Sequence, residues 1–112
     1  MGNSIGSISP LTGKIQLYRV PTFASAPMMI MEDALGQVWF TEFAGNQIGF
    51  RGLDGRIVEY DVPTRAAGPM GLDINPHDQS VWFTEALRNR IGRMVNPSVP
   101  AGPPVPHLMS AE

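Results

Sequence analysis

Two glutamates close identical pentapeptides, Val38-Trp39-Phe40-Thr41-Glu42 and Val81-Trp82-Phe83-Thr84-Glu85, placed 43 residues apart. A carboxylate at a fixed place in a repeat could ligate a hard cation, so Glu42 and Glu85 are the metal candidates. One carboxylate per repeat does not assemble the oxygen shell that such a cation needs. Their expected role is structural: accepting backbone N–H bonds or pairing with an Arg of a neighbouring strand. Glu59 and Asp61 share one strand face, and Glu32-Asp33 is a turn pair. Either could bridge a cation, but a solvated surface is the expectation for both. His77, in the turn Asn75-Pro76-His77-Asp78, and His107, in a Pro-rich stretch, are the two imidazoles. Exposed and inert is the expectation for each. Met28, Met29 and Met31 could line a channel, though packing is the favoured role for such gap-filling side chains. No cysteine is present, which excludes disulfides, thiolate metal sites and Cys nucleophiles. Phosphate loops, nucleophile elbows and metalloprotease motifs are also missing from the sequence.

Composition narrows the partners. The formal net charge is −2, and seven Arg and one Lys are scattered, with a mild cluster at Arg88, Arg90 and Arg93. That gives no electrostatic case for nucleic acid. No apolar run approaches the ~20 residues of a membrane span, so no membrane partner is expected. Neither a signal-peptide pattern nor a myristoylation pattern is met, since Gly6 stands where the latter needs Ser or Thr. The compartment stays open, with the cytoplasm as default.

What positions these residues is a repeat. Asn-x-Ile-Gly follows each Trp pentapeptide, at Asn46-Gln47-Ile48-Gly49 and Asn89-Arg90-Ile91-Gly92, and opens the chain at Asn3-Ser4-Ile5-Gly6. In a strand, Trp39 and Thr41 point one way, and Val38, Phe40 and Glu42 the other. Both faces are apolar, which demands cover on both sides. Asp54-Gly55 and Thr12-Gly13 mark hairpins. Pro63-Thr64 and Pro21-Thr22 stop the strands before them, because Pro cannot donate to a ladder. Pro69 to Ile74 and Pro27 to Met31 suit a crowded inner strand. The spacing predicts an all-β chain of four-stranded antiparallel units, the blade signature of a β-propeller.

The string Trp-Phe-Thr-Glu, Asn-x-Ile-Gly-Arg, a Gly-containing hairpin and Ile-x-Glu-Tyr-x-x-Pro-Thr resembles the virginiamycin B lyase (streptogramin B lyase) family. Gly92-Arg93 keeps the Ile-Gly-Arg form, whereas Gly49-Phe50-Arg51 departs from it by one residue. The resemblance covers about residues 3–94. It implies blades of a seven-bladed propeller that opens a cyclic depsipeptide at its ester by Mg²⁺-assisted elimination. It further implies a reactive His in a Pro-His-x-Ile inner strand, with a Glu before the Pro. Met28 and Met70 occupy the His positions, and Ala26 and Gly68 the Glu positions. No catalytic residue is therefore expected in this chain, nor any cofactor of its own, Mg²⁺ being implied by the resemblance alone.

The domain expectation is a partial propeller over 1–94, about two blades, followed by a Pro-rich extended or disordered tail over 95–112. Counting strands, the chain starts at the third strand of one blade, completes a second, and supplies three strands of another. Two blades cannot close a ring, so the expected partners are missing blades or further copies of the chain. A lyase-like propeller fragment, inactive alone, is one functional reading. A non-catalytic binding or scaffold module, ring-forming by oligomerisation, is the alternative. Trp39, Phe40, Trp82, Phe83, Ile48 and Ile91 are the expected buried anchors.

Overall fold

The computed structural model describes residues 2–98. Nine short strands and no helix make up this region: β1 (Ser4–Ile8), β2 (Ile15–Arg19), β3 (Pro27–Glu32), β4 (Val38–Glu42), β5 (Gln47–Arg51), β6 (Ile57–Asp61), β7 (Pro69–Ile74), β8 (Val81–Glu85) and β9 (Arg90–Met94). They form three antiparallel sheets in the orders β1-β2, β3-β4-β5-β6 and β7-β8-β9. These are two, four and three strands of successive blades, in the register that the repeat predicts.

Turn chemistry sets the strand ends. Gly13 and Gly55 take φ of 73° and 85° in the hairpins that follow β1 and β5. Asn46 and Asn89 take 58° and 55° at the start of β5 and β9, a left-handed conformation that Asn tolerates. Thr12 and Asp54 tighten those two hairpins by accepting from the N–H of Lys14 and Arg56.

The sheets stack face to face, with β7 packed on β3 and β4. Trp39, Ile48 and Phe50 of the second sheet meet Leu72, Val81 and Phe83 of the third in one core cluster, with Val62 and Ala67 of the segment between β6 and β7. Phe50 packs on Trp39 at a 4.5 Å centroid separation. On the opposite face, Phe40 lies over Gly49, its register partner, so closely that a Cβ there would sit 2.2 Å from the ring.

Two expected anchors are not buried. Trp82 is 39% exposed and Ile91 59%, whereas their counterparts Trp39 and Ile48 are 0% and 2%. The residues are equivalent, but the third sheet is the last of the described stack, so its outer face has no neighbouring sheet. Asp33 also departs from expectation. It is buried and accepts from Trp39 Nε1, Gln37 Nε2, Asn96 Nδ2 and the N–H groups of Leu35 and Gln37. Burial alone would raise its pKa, but these bonds outweigh it and hold the carboxyl below its ordinary value. The stretch from 95, expected to be an extended or disordered tail, begins otherwise. Asn96 is buried against Asp33, and Ser98 donates to Gln37 Oε1. The remainder of that expectation, 99–112 with His107, lies outside the described residues.

Candidate functional site

One end of each sheet gathers the residues that the sequence singled out. Glu42 pairs across from Pro27, and Glu85 across from Pro69. The register then slips between Pro27 and Ile30, and between Pro69 and Leu72. Met28 and Met70 therefore sit in β-bulges, two residues facing one on the partner strand. Bulges recur where a side chain must be re-aimed. Each bulge is bridged by the threonine of the Trp pentapeptide: Met29 N–H donates to Thr41 Oγ1 at 3.1 Å, and Gly71 N–H to Thr84 Oγ1 at 2.8 Å. Thr41 also donates to the Met70 carbonyl at 2.9 Å, tying the second sheet to the third.

The residues before the two prolines are held in unusual backbone. Ala26 has φ 53° and Gly68 has φ 62°. A larger side chain at position 68 would meet Leu87 and Phe43, since a Cβ there falls 2.6 Å from Leu87 Cγ. That crowding, with the positive φ, accounts for Gly at position 68.

Glu42 and Glu85 are both fully buried, and none of their carboxylate oxygens has a hydrogen-bond partner among the described residues. The expected structural role, accepting backbone N–H bonds or pairing with Arg, is not what the structure shows. For Glu42 the resolution is protonation. Burial, then the neighbouring Glu59 carboxylate, push its pKa up to about 8, against a downward pull from Ser25. As a carboxylate Glu42 has nothing to accept; as a carboxylic acid it becomes a donor toward Glu59. Glu59 in turn accepts from Thr22 N–H and Thr22 Oγ1 at 3.2 and 2.9 Å. That joins β6 to the segment after β2. Glu59 is thus part of a blade junction rather than of a solvated pair with Asp61, which instead accepts from Gln47 Nε2.

These carboxylates do not fit a divalent cation within this chain. Among the described residues no three His, Cys, Asp or Glu side chains gather. A protonated Glu42 is also the wrong form for a hard-cation ligand. Of the remaining candidates, Glu32 and His77 are exposed, as are Met28 and Met29, while Met31 packs against the core. Arg93 of the basic cluster pairs with Asp78 at 2.8 Å.

The sequence profile of the Virginiamycin B lyase family matches residues 1–106. The chain belongs to the virginiamycin B lyase family. A virginiamycin B lyase from Nocardia farcinica is 35% identical over 75 residues, 67% of this chain and 26% of that protein. The solved virginiamycin B lyase from Staphylococcus aureus superposes with a TM-score of 0.81 at 40% identity, covering 85% of this chain and 32% of that one. A solved streptogramin B lyase gives 0.80 at 36% identity, over 94% of this chain and 35% of that one. The chain thus spans between a quarter and about a third of the length of these virginiamycin B lyase relatives.

Several features of these family blades were not legible as such in the sequence. The threonine-bridged bulges, the Asp33 hub and the Glu42–Glu59 contact each join residues whose spacing carries no motif. Thr41 and Thr84 were visible as repeated residues, and that repetition was the one signal for the bulge.

Proposed function

We propose that this chain contributes scaffold blades to a streptogramin B lyase-like propeller and supplies no reactive group of its own. The observation that carries this reading is the occupancy of the two inner-strand bulges. Met28 and Met70 stand where the family resemblance calls for the reactive His. A thioether neither accepts nor donates the proton that an elimination must move. Ala26 and Gly68 stand where it calls for the acid, and a Cβ at position 68 already falls 2.6 Å from Leu87 Cγ. The Mg²⁺ that the resemblance implies finds no fitting donor set among the described residues, so no step of the reaction is assigned to Glu42 or Glu85. What the residues present do is hold geometry: Thr41 and Thr84 fix the bulges, and Thr22–Glu59 and Thr41–Met70 fix blade on blade.

The test is incubation of the purified chain with a streptogramin B depsipeptide and Mg²⁺, with mass spectrometry for the linear elimination product. No product is expected. Turnover that His77→Ala abolishes would reverse the reading and make that turn histidine the base.

A further inference from the structure

The first sheet stops at β1, whose inner edge meets no strand among the described residues. In the other two sheets the equivalent edge is paired. There β5 pairs with β4 and β9 with β8, and both partners read Val-Trp-Phe-Thr-Glu. Three contacts define how such a strand is held. Its Phe lies opposite a glycine, Phe40 on Gly49 and Phe83 on Gly92. Its Trp packs with the next inner strand, Trp39 sharing a core cluster with Leu72. Its Thr reaches the next bulge, the Thr41 hydroxyl donating to the Met70 carbonyl at 2.9 Å. β1 and β3 keep the receiving half of each contact and leave it open. Gly6 stands where Gly49 does, but a Cβ there would meet only Leu17 and Gln16 of β2, with no ring over it. Met28, the counterpart of Met70, is 52% exposed, and Ile30 is 49% exposed against 8% for its counterpart Leu72. Gly6, Met28, Met29, Ile30 and Phe40 are among the residues that line a groove of about 210 Å³ between β1 and β3.

We infer that this groove is a strand-addition site for an extended Trp-Phe-Thr segment of another polypeptide. Such a strand continues the interface between the second and third sheets one blade upstream. Lying antiparallel to β1 in the β4–β5 register, it sets its Phe opposite Gly6, its Trp opposite Ser7 and its Thr opposite Ile5. Alternation along the strand then divides the side chains. Trp and Thr face β3, the Trp covering Ile30 and the Thr hydroxyl donating to the Met28 carbonyl. The Phe takes the other face, over Gly6, where only a residue without Cβ leaves room for the ring. Main-chain bonds to the β1 edge supply affinity, and these three contacts supply selection. A second folded copy cannot be the donor of this strand. Its β4 is paired with β3 and β5, and its β8 with β7 and β9, so neither has an edge to spare.

The test titrates the full chain into a fluorescein-labelled synthetic peptide with the sequence of residues 80–86, read by anisotropy, with methyl NMR of the methionines in parallel. Saturable binding that shifts the Met28 and Met29 methyl signals is expected. Gly6→Ala should weaken it about tenfold, because the added Cβ stands where the peptide Phe ring must lie, as a Cβ at Gly49 would stand against Phe40. A peptide carrying Thr84→Val should bind about fivefold more weakly, the size of one net hydrogen bond. Absence of saturable binding overturns the inference, as does equal binding of a scrambled peptide or equal affinity of Gly6→Ala. Shifts at Ile91 instead of Met28 overturn it too, because the peptide then lies on the third sheet. Met28 shifts that follow protein concentration without peptide do the same, since the occupant is then a second copy. Should Gly6→Ala fail to fold, the Thr84→Val peptide decides on the wild-type chain, and equal binding of the two peptides removes the site.

Discussion

The Thr41 hydroxyl donates to the Met70 carbonyl across two sheets while accepting from Met29 N–H within its own. One side chain thus bridges a bulge and joins two blades. Thr41→Val keeps the shape and deletes both bonds, leaving a part-buried donor and acceptor without partners. The expected cost is about 1–3 kcal/mol, measured as a lower urea midpoint. Thr84→Val loses only the bond within its own sheet, from Gly71 N–H, and should cost less.

The two repeat tryptophans should respond unequally to the same substitution. Trp39 is fully buried and donates to Asp33 Oδ2, whereas Trp82 is 39% exposed and donates to Ser80 Oγ. Trp39→Ala should cost roughly 3–5 kcal/mol, and Trp82→Ala less than about half of that. Thermal melts of both variants check the ranking. Equal costs would mean that the Trp82 face is covered in solution.

Glycines with equal sequence roles should also differ. Gly49→Ala places a Cβ within the Phe40 ring and should cost about 1–3 kcal/mol through overpacking. Gly6 has no strand of the Phe40 type beside it, and its nearest neighbour is Leu17 Cδ2 at 3.2 Å, on an exposed side chain. Gly6→Ala should be close to neutral in the same melting assay.

Glu42 sets a pH dependence with a definite sign. Its folded-state pKa of about 8 lies above the ordinary 4.5. Between these values the folded chain holds a proton that the unfolded chain has released. Stability therefore falls as pH rises through that window and levels off above it. The slope is at most about 1.4 kcal/mol per pH unit. Glu42→Gln is neutral at every pH and can still donate to Glu59, so it should flatten the slope. Urea midpoints from pH 5 to 9 for both proteins are the measurement. A wild-type curve that is flat or rises across this range contradicts the assignment.

The all-β blade, its turns and strand order, and the family were all legible in the amino-acid sequence. The 43-residue repeat carries these because Trp-Phe-Thr-Glu, Asn-x-Ile-Gly and the Gly hairpins act within one blade, over separations that local geometry governs. Met28 and Met70 were placed on inner strands for the same reason. What each copy of a repeated residue does follows from how the sheets pack. Trp39 and Trp82 are identical in sequence context, yet among the described residues Trp39 is fully covered and Trp82 is not. Glu42 becomes a protonated acid because the fold buries it and brings Glu59 beside it from another strand. Asp33, expected to be solvated, gathers donors from its own turn, from β4 and from Asn96, 63 residues away. Burial and electrostatic surroundings depend on which sheets stack, and a repeat that gives equal letters to successive blades cannot encode that difference.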